Sequence, residues 1–149
     1  MTEIRPVGAQ EMAALAEIHS SAFDEAWDAA SFARLLAMPG AFALVAVEKD
    51  GPRGFVLARL GGGEAEIITI AVDPAARRKG LGRALMRRVA AEALARGAEA
   101  IFLEVAEDNA PAIALYERLG FEAVGRRPAY YNRPDGKIAA ISMKLDLPG

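Results

Sequence analysis

The stretch from Glu64 to Val105 reads as strand, bend, helix, strand, and that order commits the chain to an α/β domain. "EAEIITIAV" (64–72) is the longest strand candidate, and Asp73-Pro74 stops it. "AIFLEV" (100–105) is apolar enough for a central strand. The helix between them runs from about Leu81 to Arg96. Its expected buried positions are Leu85, Met86, Val89, Ala93 and Leu94, and Gly97 ends it.

The flanks add to the sheet. "EIRPV" (3–7) is a short first strand, which Pro6 confines to an edge or a strand end. Met12, Leu15, Ala16, His19, Ala22 and Phe23 recur at helical spacing over 9–23. Asp28 is the expected N-cap of a second helix to Ala37, which Pro39 and Gly40 close. "AFALVAVE" (41–48) and "GFVLARL" (54–60) form a hairpin across "KDGPR". Asn109 caps a helix with Pro111 in its first turn and Gly120 at its end. "FEAVGRR" (121–127) and "AAISMKL" (139–145) are the last strands, joined across "PAYYNRPDGK". The expectation is one domain over residues 1–149 with a mixed sheet.

Composition removes several function classes. The net charge of -2 argues against a general nucleic-acid binder, which carries a basic excess. With no cysteine there is no disulfide, thiol nucleophile or cysteine metal site, and one histidine cannot build a metal centre. The start "MTEIRPVGAQEM" lacks a signal-peptide pattern, and no apolar run approaches the ~20 residues that span a bilayer. No membrane partner and a cytoplasmic location are therefore expected.

"RRKGLGRAL" (77–85) sets two glycines among four positive charges at the mouth of the third helix. Gly80 and Gly82 permit backbone angles closed to other residues and close approach of a ligand to the main chain. First-turn N–H groups and the helix dipole add a positive potential, so the bend suits an anion, most often phosphate. It is neither a P-loop, which needs a Lys-Ser or Lys-Thr pair, nor a dinucleotide fingerprint, whose third small residue is here Leu85.

"ITIAVDPAARRKGLGRAL" resembles the acetyl-CoA-binding motif of the GNAT superfamily of N-acetyltransferases, with Arg77, Gly80 and Gly82 at its core positions. The resemblance implies an α/β (α+β) fold whose mixed, mostly antiparallel sheet of about seven strands is flanked by four helices. It implies acetyl-CoA as co-substrate. The bend Arg77, Arg78, Lys79, Gly80, Leu81, Gly82 and Arg83 would hold the diphosphate. The backbone of Ile70, Ala71 and Val72 would pair with the pantetheine arm, and Asn109, a helix cap on pattern alone, would touch it. Downstream, "FLEVAEDNAPAIALYERLGFEAVGRRPAYYNRPDG" is similar to the bacterial ribosomal-protein alanine N-acetyltransferases, the RimI type. The match is dense over residues 64–145 and loose before that. The family's Pro-Trp is Ala26-Trp27 here.

Acetyl transfer to an amine needs a neutral amine, a proton acceptor, an oxyanion donor and a proton for the departing thiolate. Without a Ser-His-Asp or Cys-His set, direct attack by the amine is the economical route. Glu104 is an acid in an apolar strand, either facing a cleft or paired with an arginine; the resemblance makes it the base. Glu66 is the second candidate base, and Glu64 reads as a solvated strand start. Tyr116 falls on a core-facing helical stripe; by resemblance it is the acid. Trp27, Tyr130 and Tyr131 either wall the acceptor groove or are scattered aromatics, and His19 packs on its helix. The expected acceptor is a protein N-terminus. A small amine, a lysine side chain, or a silent coenzyme-binding module are the alternatives.

Overall fold

The computed structural model describes residues 2–22, 27–76 and 80–148. Among the described residues, seven strands form one sheet in the order β1-β2-β3-β4-β5-β7-β6. They are β1 (Glu3–Pro6), β2 (Ala41–Glu48), β3 (Gly51–Gly61), β4 (Glu64–Val72), β5 (Ala100–Ala106), β6 (Glu122–Arg133) and β7 (Gly136–Asp146). Four helices, α1 (Met12–Ala22), α2 (Ala29–Leu36), α3 (Leu81–Ala95) and α4 (Ala110–Arg118), complete the expected architecture. Every strand pair is antiparallel except β4–β5, which the α3 crossover makes parallel.

Each face of the sheet buries its own core. Leu15, Ile18 and Phe32 of α1 and α2 cover Val45, Phe55 and Leu57. On the other face Leu85, Met86 and Val89 of α3, with Tyr116 of α4, cover Leu44, Val56, Ile67, Ile101 and Leu103. Leu94 departs from expectation and is 41% exposed. The buried stripe Leu81, Leu85, Val89, Ala93 advances by four residues, and Leu94 lies one step, about 100°, beyond it.

Local chemistry fixes the ends of these elements. Asp28 accepts the Ser31 N–H at 2.8 Å and caps α2 as predicted. Before α1, the buried Glu11 accepts two hydrogen bonds from Arg5, each at 2.7 Å, and the Gly8 N–H at 2.7 Å. The Arg5 hydrogen bonds hold the Glu11 carboxyl below its ordinary range against the opposing effect of burial. A depressed acid contributes stability above its unfolded pKa, and that contribution disappears as pH falls through the folded value. In acid thermal melts, Glu11→Gln is expected to show a shallower fall of Tm below pH 5 than the unsubstituted protein.

The largest correction concerns 128–137, expected as a connection and found as strand. β6 and β7 form a long hairpin turning at Pro134-Asp135. Its register slips between Arg127 and Tyr131, where Ala129 adopts φ 53°. β6 is the edge strand, where the missing N–H of Pro128 is tolerated, and the bulge re-aims the side chains around it.

Candidate active site

The β4–β5 pairing is short. It runs from Glu64↔Ala100 to Glu66↔Phe102, and no register pair joins the two strands beyond that. A bulge in β4 helps to part them: Leu57 faces Thr69 and Ala58 faces Ile67, leaving Ile68 as the extra residue. β4 continues to pair with β3 through Val72, and β5 with β7 through Ala106. The two strands diverge into a wedge into which alternate main-chain groups of β4 are directed. Ile70, Ala71 and Val72 lie on this diverging stretch. Ile70 and Val72 pack into the α3-side core, and Ala71 into the opposite one.

Gly80 caps α3 with φ 77°, a left-handed conformation that favours glycine, and a side chain there would meet open space. Among the described residues no side chain caps the helix start. A Cβ at Gly82 would make only an ordinary contact, 3.5 Å from Leu115 of α4, so helix packing by itself does not demand glycine there. Leu81 is buried and Arg83 exposed, so Leu81 has only its main chain to offer a ligand. Arg77, Arg78 and Lys79 lie outside the described residues. Asn109 accepts the Ala112 N–H at 3.3 Å and caps α4. A bare left-handed glycine at an uncapped helix start fits a diphosphate by donor chemistry.

Glu104 is on β5 just past the parting of the strands, with its side chain 23% exposed. One carboxylate oxygen, Oε2, forms an ion pair with Arg127 Nε at 2.8 Å and accepts a hydrogen bond from Ser142 Oγ at 3.2 Å. Ser142 sits opposite Glu104 in the β5–β7 register. Tyr131 donates its hydroxyl to the Glu104 main-chain carbonyl at 3.4 Å. Partial burial is the main reason the Tyr131 hydroxyl is harder to ionise than a free tyrosine, and the Glu104 charge adds to it. Of the two sequence readings of Glu104, the pairing with an arginine is observed. Arg127 was not singled out from the sequence. Its signal was the cluster "RRPAYY" following the last helix, but the pairing partner lies 23 residues away on another strand.

Tyr116 is 7% exposed, its ring 5.9 Å from Phe121, and burial pushes its hydroxyl up to about 12. That reverses the easier proton release that an acid role favours. Among the described residues its hydroxyl has no hydrogen-bond partner, yet no buried side-chain polar atom is left unsatisfied, so the hydroxyl itself reaches solvent. Tyr130 is 48% exposed and meets Tyr131 edge-on at 5.0 Å. Trp27 instead stacks on His19 at 4.7 Å and packs beside Phe32, anchoring the α1–α2 layer. The buried His19 Nδ1 accepts the Trp27 N–H at 3.2 Å. Glu66 is exposed and, with Glu64, Arg59 and Phe102, lines an open depression of about 320 Å³ on the same sheet face as Glu104.

Comparison with known proteins gives the family and the fold. The family model described as "Acetyltransferase (GNAT) family" matches residues 12–121. A 39% identical relative, "N-alpha-acetyltransferase RimI" of Mycobacterium tuberculosis, aligns over 122 residues, 78% of this chain and 75% of its own. The "[Ribosomal protein bS18]-alanine N-acetyltransferase" of Escherichia coli is 48% identical over 84 residues, which span 56% of this chain and only 57% of the relative's length. The crystal structure of the ribosomal-protein-S18-alanine N-acetyltransferase from Escherichia coli superposes with TM-score 0.93 at 33% identity, covering 99% of this chain and 94% of that one.

Proposed function

Since the chain belongs to the GNAT acetyltransferase family, we propose that it moves an acetyl group from acetyl-CoA to the N-terminal α-amine of a protein, in the ribosomal-protein alanine class. The observation that carries this reading is the carboxylate of Glu104 beside the β4–β5 wedge, on a fold that matches such an enzyme over nearly its whole length. A related fold at 26% identity, from Salmonella typhimurium, is described with its cofactor acetyl-CoA.

In this reading the Gly80 bend and first turn of α3 hold the diphosphate, with Arg77, Arg78, Lys79 and Arg83 as the surrounding cations. The diverging edge of β4 at Ile70, Ala71 and Val72 pairs with the pantetheine arm, and Asn109 borders it. Acetyl-CoA supplies an activated thioester. Glu104 takes the proton that the amine loses on attack, directly or through one water. The Tyr116 hydroxyl supports the departing sulfur, and Tyr130 and Tyr131 border the acceptor, with the depression at Glu66 beyond it. Glu66 remains the alternative base; Trp27, stacked on His19, supports the groove from behind. The proposed place of action is the cytoplasm.

Acceptor chemistry favours an α-amine. At pH 7 about one in seven α-amines is neutral, against about one in 2,500 lysine side chains. An alanine-starting peptide incubated with acetyl-CoA is expected to gain one acetyl group, read by mass spectrometry, and the same peptide blocked at its N-terminus to gain none. Acetylation of the blocked peptide at a lysine, at equal rate, would overturn the assignment.

A further inference from the structure

We propose that Arg127 is a positioning residue that acts through Glu104: its guanidinium cancels the carboxylate's charge, so the acceptor amine is not trapped beside the base as an unreactive ammonium. The inference rests on the reading of Glu104 as the base.

Arg127 Nε lies 2.8 Å from Oε2 in an ion pair, and Ser142 Oγ donates to the same oxygen, whereas Oε1 accepts no hydrogen bond among the described residues. Oε1 is thus the acceptor position left for an incoming amine beside the ion pair. The guanidinium is held from a second side, its Cζ 5.3 Å from the Tyr130 ring centre. The slip in register after Arg127 puts Tyr130 and Tyr131 beside it.

Around this pair the other charges are already matched or distant in kind. On β7, Lys144 lies over the Phe102 ring and pairs with Asp146 at 3.2 Å. After β5, Glu107 pairs with Arg126 and Asp108 with Arg133. Tyr116 of α4 and Tyr131 of β6 are neutral hydroxyls made harder to ionise by burial. Glu66 of β4 is exposed and adds only negative charge. Arg127 is thus the cation that offsets Glu104.

A lone carboxylate beside a bound amine stabilises the ammonium and raises the pH at which the nucleophile forms. An amine on Oε1 sits on the order of 4–6 Å from the guanidinium, where a buried like charge lowers an ammonium pKa by about one unit or more. The Arg127 side chain is 61% exposed, so solvent reduces the effect and about half a unit to one unit is expected.

Arg127→Gln is expected to shift the acidic limb of kcat for an alanine-starting peptide upward by about half a unit to one unit. Turnover at pH 7 falls about three- to tenfold and recovers near pH 9, while KM for the peptide falls because a lone carboxylate holds ammonium more tightly. Arg127→Lys restores the profile. A merely structural role would instead lower kcat at every pH. A second measurement needs no turnover: calorimetric titration of the peptide onto the protein with coenzyme A, in two buffers of different ionisation enthalpy, counts protons released. The unsubstituted protein releases more per peptide bound at pH 7 than Arg127→Gln. An unmoved pH limb together with equal proton release overturns the inference, even where acetylation itself is intact. Failure of the unsubstituted protein to acetylate any α-amine would instead overturn the underlying function.

Discussion

Glu104→Gln is expected to lower kcat for an alanine-starting peptide by at least about a hundredfold, within the range a positioned general base contributes. The substitution keeps the size of the side chain and an acceptor oxygen for Arg127 and Ser142, so the β5–β7–β6 contacts survive. It removes the one property a proton acceptor needs. KM for acetyl-CoA is expected to stay within about twofold, because the diphosphate site at Gly80 is built from a different loop. Steady-state kinetics at saturating acetyl-CoA checks this, with a thermal melt confirming the fold. A fall of less than about threefold would reduce Glu104 to a strand carboxylate in an ion pair and turn attention to Glu66, which faces the same side of the sheet.

Much of the scaffold behind this chemistry was readable from periodicity and caps. β2 and β4 begin and end where alternation and Asp73-Pro74 predicted, and Asp28 and Asn109 cap their helices through the bonds their side chains allow. What escaped is non-local. β7 inserts between β5 and β6, and that order brings Ser142 and Arg127 onto Glu104 from residues far along the chain. The wedge depends on how soon two strands part, a matter of the extra residue at Ile68 and not of composition. Pro128, Asn132 and Pro134 suggested a connection, yet an edge strand with a bulge accommodates the first two and only the last begins the turn. Residue types named Glu104 and Tyr116 as candidates through resemblance. Their surroundings, an arginine on one and deep burial on the other, came only with the fold.

Tyr116→Phe separates packing from catalysis because its hydroxyl makes no hydrogen bond among the described residues. Removing the oxygen leaves the ring against Phe121 and the core on that face intact, so Tm is expected to move by no more than a degree or two. The effect on turnover follows from acidity. With the hydroxyl raised to about 12 against a thiol near ~8.5, complete transfer of the proton to the thiolate is uphill by roughly 5 kcal/mol. Tyr116 is therefore better suited to donate a hydrogen bond to the sulfur as charge develops than to surrender its proton early. A hydrogen bond to a charged group is worth about 1.5–3 kcal/mol, which sets the expected loss of kcat at about ten- to a hundredfold, with KM for acetyl-CoA unchanged. The same raised value keeps the hydroxyl protonated through pH 10, so it should contribute no alkaline limb to kcat below that pH. The sign for stability is the same: the folded state favours the neutral phenol, and its advantage is present below pH 10 and lost as pH rises from there through about 12. Steady-state kinetics of Tyr116→Phe from pH 6 to 10 decides the matter. Near-normal turnover would leave Tyr116 a core residue, and a deficit that disappears toward pH 10 would mean that the hydroxyl of the unsubstituted protein ionises there despite its burial.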